Sequence, residues 1–199
     1  MQEKQYIRID RDGNKFYFKD KAMTIRHRLD GPAIEYANGG KVWFVDGKRH
    51  RLDEPAIEGA DGRKEWWVDG KCHRLDGAAI EWADGRKEWW VDDKRHRLDG
   101  PAVEGASGYE AWFVDGKLHR LDGPAVENAD GRKEWWVDDK RHRLDGPAYE
   151  GADGCKEWWV DDECLSKEAF DALSESLELT LDDIAAKFGV DVSKLKIVK

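Results

Sequence analysis

The histidines are the strictest feature of this chain. There are six, His27, His50, His73, His96, His119 and His142, each 23 residues after the last and each followed by Arg-Leu-Asp. A fixed period of this length is the signature of a stacked array, in which each unit packs chiefly on its neighbours. Six units span residues 27–164. Residues 1–26 hold an earlier half-unit, whose "GNKFYFKD" aligns with "GGKVWFVD" of the first full unit. The pattern stops after Cys164, and residues 165–199 form a separate segment.

Within a unit the punctuation is Asp-Gly. One pair closes an "ADG" turn, as at Asp61-Gly62 and Asp84-Gly85, and a second follows the paired aromatics, as at Asp69-Gly70 and Asp115-Gly116. Asp-Gly between short alternating segments predicts type I′ hairpins, because that turn needs positive φ at both central residues. Pro32, Pro101, Pro124 and Pro147 follow a third Asp-Gly; lacking an N–H, they mark a bend. Each unit therefore reads as strand "PAxEx", turn, strand "KEWWV", turn, short strand "KRHRL", bend. The expected fold is mainly β, an elongated antiparallel β-meander or solenoid with a small C-terminal helical cap over residues 165–199.

Eleven Trp require a role. Adjacent strand residues point to opposite faces. The first ring of each pair is Trp in every unit (Trp43, Trp66, Trp89, Trp112, Trp135, Trp158) and is followed two places on by Val, so it is assigned to the interior. The second is Phe or Trp and shares its face with acids. Trp67, Trp90, Phe113 and Trp136, flanked by Glu88 and Glu134, are thus the candidate partner-binding ladder, with lateral packing between strands as the alternative.

The recurring His, Arg and Asp suit catalysis or metal binding poorly. An active site needs one constellation, and here every member recurs six times; equivalent histidines a repeat apart are too distant to share a metal. No catalytic residue, metal or cofactor is assigned. Anion capture by His73, Arg74, His96, Arg97, His119 and Arg120 is the remaining functional use of the set, against a structural ladder of Arg–carboxylate contacts. Three cysteines, Cys72, Cys155 and Cys164, at positions that vary between units are expected to be plain surface thiols.

The formal net charge of −9 argues against nucleic acid as a partner, since phosphate binding needs clustered cations. No apolar run approaches the ~20 residues of a membrane span. The opening "MQEKQYIRID" is too polar for a secretory signal, so a cytoplasmic location is expected. Ile7 and Ile9 leave the first strand as either a divergent cap or an edge that pairs a second copy into a homodimer. In the tail, Ser166 is an expected N-cap with Phe170 and Leu173 at helical spacing. "LTLDDIAAKFGVDVSKL" resembles a helix-turn-helix, though the tail's seven acids against five lysines favour a cap.

The 23-residue unit, the Asp-Gly turns and the "WWVDGK" ending resemble MORN repeats, and more closely their Trp-rich "HRxDGPA" variant of phages, large viruses and bacteria. The resemblance covers residues 14–164. It implies a twisted antiparallel array without catalysis, used for protein contact. Membrane binding is not carried over, because the multiple-glycine spacing of standard MORN repeats is missing. The expected function is a non-enzymatic interaction scaffold. Family context alone makes it a phage inhibitor that blocks a bacterial defence protein in the host cytoplasm. The alternatives are a module sequestering a glycan or nucleotide signal and a DNA-associated regulator acting through the tail.

Overall fold

A computed structural model describes residues 4–177. It is mainly β, as the repeat predicts. A single antiparallel sheet of 15 strands runs the length of the array, and five two-stranded hairpins stand beside it. At about 4.8 Å per strand the long sheet extends roughly 70 Å. The helix-turn-helix-like stretch, residues 179–195, lies outside the described residues.

The strands are shorter than their sequence suggests, and "KEWWV" is not one strand. In the unit beginning at His73, Ile80–Glu81 and Lys87–Glu88 join the long sheet, while Trp90–Val91 pairs with Lys94–Arg95 in a hairpin of its own. The chain changes ladders at the first Trp. Trp89 N–H donates to Ala102 of the next unit, and its carbonyl accepts His96 N–H of the following bend. With both backbone groups committed to different partners, Trp89 cannot continue a single ladder. The last unit has no successor, and there Lys156–Val160 remains one unbroken strand.

The two Asp-Gly turns differ in kind. After the ring pair, both central residues have positive φ, 51° at Asp69 and 86° at Gly70, the expected type I′ geometry. In three units the second residue is Asp. Asp93 holds φ 65° and offsets that cost by accepting Cys72 N–H at 2.8 Å, tying its hairpin to the preceding one. In the ADG turn only the glycine is left-handed. Gly62 N–H donates to Gly59 and Gly59 N–H to Arg63, a type I turn closed by a bulge rather than the I′ turn expected.

The core is thin. Ala33, Ala56, Ala79, Ala102, Ala125 and Ala148 are wholly buried, and the carbonyls of the last five accept a Trp N–H. A larger side chain would have no room where successive ladders meet. Hydrophobic clusters form around Phe16, Phe18, Ile34 and Val42, and around Cys72, Ala79 and Ile80. Among the described residues no large side chain is completely buried.

The segment after Cys164 supplies a helix, α1 (Lys167–Leu177). Ser166 caps it, its Oγ accepting Ala169 N–H at 3.1 Å. Phe170 is buried and Leu173 half-buried against the last unit. At the other end Tyr6–Ile9 is the edge strand of the sheet, with Ile7 and Ile9 exposed.

Candidate functional site, a leucine ridge over repeated clefts

Both aromatic ladders are half-buried, and only Trp66, at 9% exposure, counts as buried, so the expected division into a dry first ring and a wet second ring does not occur. The second rings face the hydrophobic clusters: Trp67 and Trp90 pack on Cys72, Ala79 and Ile80. Their polar atoms are satisfied within the sheet. Trp67 Nε1 donates to Glu65, Trp90 to Glu88, Trp136 to Glu134 and Trp159 to Glu157, at 2.8 to 3.2 Å. Arginines fill the spaces between rings. Arg95 lies 5.0 Å from Trp90 and 5.4 Å from Phe113, and Arg141 5.1 Å from Trp136 and 5.3 Å from Trp159. Glu88 and Glu134 bond these same arginines. Trp67, Trp90, Phe113, Trp136, Glu88 and Glu134 therefore meet as an internal stack of rings, cations and carboxylates. The lateral-packing alternative describes their geometry.

Cys72 belongs to this stack and is not a surface thiol. It pairs across the hairpin with Trp67, and burial pushes its thiol up to about 12. Cys155 and Cys164 are exposed.

The opposite face carries the HRLDGPA phrase, and each letter has a structural task. Arg97 lies over the ring of Trp89 of the preceding unit, its Cζ 3.9 Å from the ring centroid. Its fork bonds Asp99 at 3.0 Å, the Pro101 carbonyl at 3.0 Å and Glu104 at 2.8 Å. Gly100 lets the guanidinium close down, since a Cβ there would stand 2.8 Å from Arg97 Cζ. Arg74 and Arg120 repeat the arrangement on Trp66 and Trp112. The arginine holds the Asp99 carboxyl below its ordinary value of 3.8, chiefly by hydrogen bonding.

The histidines join the next unit's turn. His96 Nδ1 stands 3.1 Å from Asp115 N–H and 3.2 Å from its carboxylate. A neutral Nδ1 accepts the amide; a protonated one donates to the carboxylate. His73 and His119 sit alike against Asp92 and Asp138. His73, Arg74, His96, Arg97, His119 and Arg120 thus share one face, each beside a carboxylate. An added anion would have to displace that carboxylate. Among the described residues no group of three or more His, Cys, Asp or Glu converges as a metal site.

Between successive HRLD corners lie open clefts. One of 660 Å³ has Trp112, Val114 and His119 within it and Leu98 and Leu121 on its rims; the next, 590 Å³, shares Leu121 and ends at Leu144; a third, 610 Å³, lies between Leu29 and Leu52. The leucines face solvent. Leu29 and Leu52 are 70% exposed, Leu75 80%, Leu98 79% and Leu121 80%. Sequence pattern assigns these leucines no role, placing them at the end of a short strand. Their one signal was a large aliphatic residue kept in every unit, between charges, where the chain bends. Among the described residues no helix is long and apolar enough to cross a membrane. No protein-family model and no curated protein sequence matches the chain.

Proposed function

We propose that this chain is a non-enzymatic protein-interaction scaffold that binds through the leucine ridge and its clefts. The observation that carries the reading is the row of five leucines at 70–80% exposure, with clefts beside Leu29 and Leu52 and two adjoining clefts that meet at Leu121. Isolated exposed leucines are ordinary, but an aligned series forms an extended apolar surface of the kind used for contact. The second aromatic ladder is the weaker candidate, because its indole donors and flanking acids are already paired inside the sheet. On the resemblance to Trp-rich MORN-like repeats, the partner is a bacterial host protein, and inhibition is the outcome of binding.

The test is capture from bacterial lysate by the wild-type chain and by a Leu98→Asp, Leu121→Asp variant with an unchanged urea melt. A stoichiometric protein lost from the variant supports the ridge. The same protein captured equally by both moves the site elsewhere. A small molecule released on denaturation, with no protein captured, replaces the reading with a ligand-binding one.

A further inference from the structure

We infer that the ridge receives a basic amphipathic α-helix laid across successive leucines. The inference rests on the scaffold reading and names the chemistry of its partner. Its first support is the chain's own α1. At an inner junction the Trp of one unit is covered by the Arg of the next, as Arg120 covers Trp112 at 4.0 Å. The last unit has no following Arg, and Lys167 of α1 lies over Trp158 instead, its Nζ 5.9 Å from the ring. α1 also closes the end of the ridge. Ser174 Oγ donates to the Leu144 carbonyl at 3.5 Å, and Leu144 is 46% exposed against 79% and 80% for Leu98 and Leu121. A helix with a lysine beside an apolar flank is therefore already the occupant of the last place on this face.

Spacing agrees with a helical occupant, and the charges beside the ridge, rather than those of α1 itself (Lys167 against Glu168, Asp171 and Glu175), make the partner basic. Two sheet strands per unit, about 4.8 Å each, set the leucines roughly 10 Å apart. Seven helical residues advance about 10.5 Å, so an apolar residue at every heptad meets successive leucines. Sheet twist restricts the match to a short helix spanning two or three leucines. The charges beside the ridge are unequally presented. The Asp99 and Asp122 side chains are both 87% exposed, whereas their partners Arg97 and Arg120 are 21% and 23% exposed. The surface therefore offers carboxylates outward and keeps its cations tucked against Trp, which favours a helix edged with Lys or Arg.

The probe is a synthetic peptide of about 15 residues, long enough for two ladder steps, with Leu at its heptad core places and Lys beside them. Fluorescence anisotropy measures its binding to the full chain. The wild type is expected to bind it. Leu98→Ser with Leu121→Ser, in a protein whose urea melt is unchanged, should weaken binding at least about tenfold. Asp99→Asn with Asp122→Asn should weaken it and reduce its salt dependence. Absence of binding, equal binding of a scrambled peptide of the same composition, or equal binding by the leucine variant overturns the inference. If the peptide fails while the leucine changes still abolish capture of a cellular protein, the helix assignment falls and the scaffold reading stands. If neither peptide binding nor capture responds to the leucines, both fall.

Discussion

Replacing Arg97 by Met isolates the contact that makes the HRLDGPA phrase repeat. Met keeps an unbranched apolar stem against Trp89 and removes the guanidinium. Three contributions are lost. The cation lies 3.9 Å from the indole ring and is only 21% exposed, so it contributes about 1 kcal/mol, between the values for exposed and desolvated pairs. The pair with Glu104, 36% exposed, is partly screened and contributes about 0.5 kcal/mol. The part-buried Pro101 carbonyl loses a charged donor, at a cost of about 1 kcal/mol. The expected loss is about 2 to 3 kcal/mol, read from urea unfolding followed by Trp fluorescence. Arg97→Lys should lose most of it, because an ammonium cannot reach Asp99, Pro101 and Glu104 together while lying flat on the ring. Asp99→Asn, at a fully exposed position, should leave the urea melt nearly unchanged. A Lys variant as stable as wild type, or a Met variant within about 0.5 kcal/mol of it, would refute the fork-and-stack account.

Trp89→Ala and Trp90→Ala should destabilise comparably, by about 2 to 4 kcal/mol in urea, since both rings are half-buried; a much smaller loss at Trp90 would return the second ladder to the solvent side. Asp93→Gly should be close to neutral, whereas Asp93→Ala should cost about 1 to 2 kcal/mol by keeping the positive φ and losing the bond to Cys72 N–H. A thiol reagent at neutral pH should label Cys155 and Cys164 quickly and reach Cys72 only on unfolding, which mass spectrometry of tryptic fragments would show. Asp76, Asp99 and Asp122 have native values lowered from 3.8 by their arginines, so their contribution is complete above that pH and is lost as pH falls below it. Asn at all three positions should flatten the acid limb of stability below the ordinary carboxylate value of 3.8.

The face assignment shows why the pattern could mislead. Alternation correctly puts Trp112 with Val114, which line one cleft, and Trp90 with Glu88, which share a hydrogen bond. It does not say which face is packed. An invariant Trp-Val face looked internal and an acid-flanked face looked wet. The acids are instead consumed: Glu88 by Trp90 and Arg95, and Glu134 by Trp136 and Arg141. Each partner lies within seven residues, yet no local rule identifies a Glu as half of a buried bond rather than a solvated charge. The unit's backbone was legible except at the first Trp. There the donor's partner, Ala102 for Trp89, lies in the next unit, so a strand that looks continuous in one repeat breaks only when repeats stack.

Sequence alone determined the period, the antiparallel class, the positions of the turns and the capped helix after the array. These follow from the 23-residue recurrence, from turn residues with special φ and from Ser166, all of which act within a few residues of chain. Tertiary structure decided which surfaces remain open. Arg97 could meet Trp89 only once consecutive units were stacked, and that contact turned a ladder of apparent anion ligands into paired structural cations. In the same bend Arg97 folds back over Gly100 and Leu98 is left at 79% exposure. Hydrophobicity gives a leucine a preference for burial, but whether a neighbour arrives to cover it depends on how adjacent units stack. Along this ridge Leu144, whose carbonyl bonds Ser174 of α1, is the least exposed of the six leucines, at 46%.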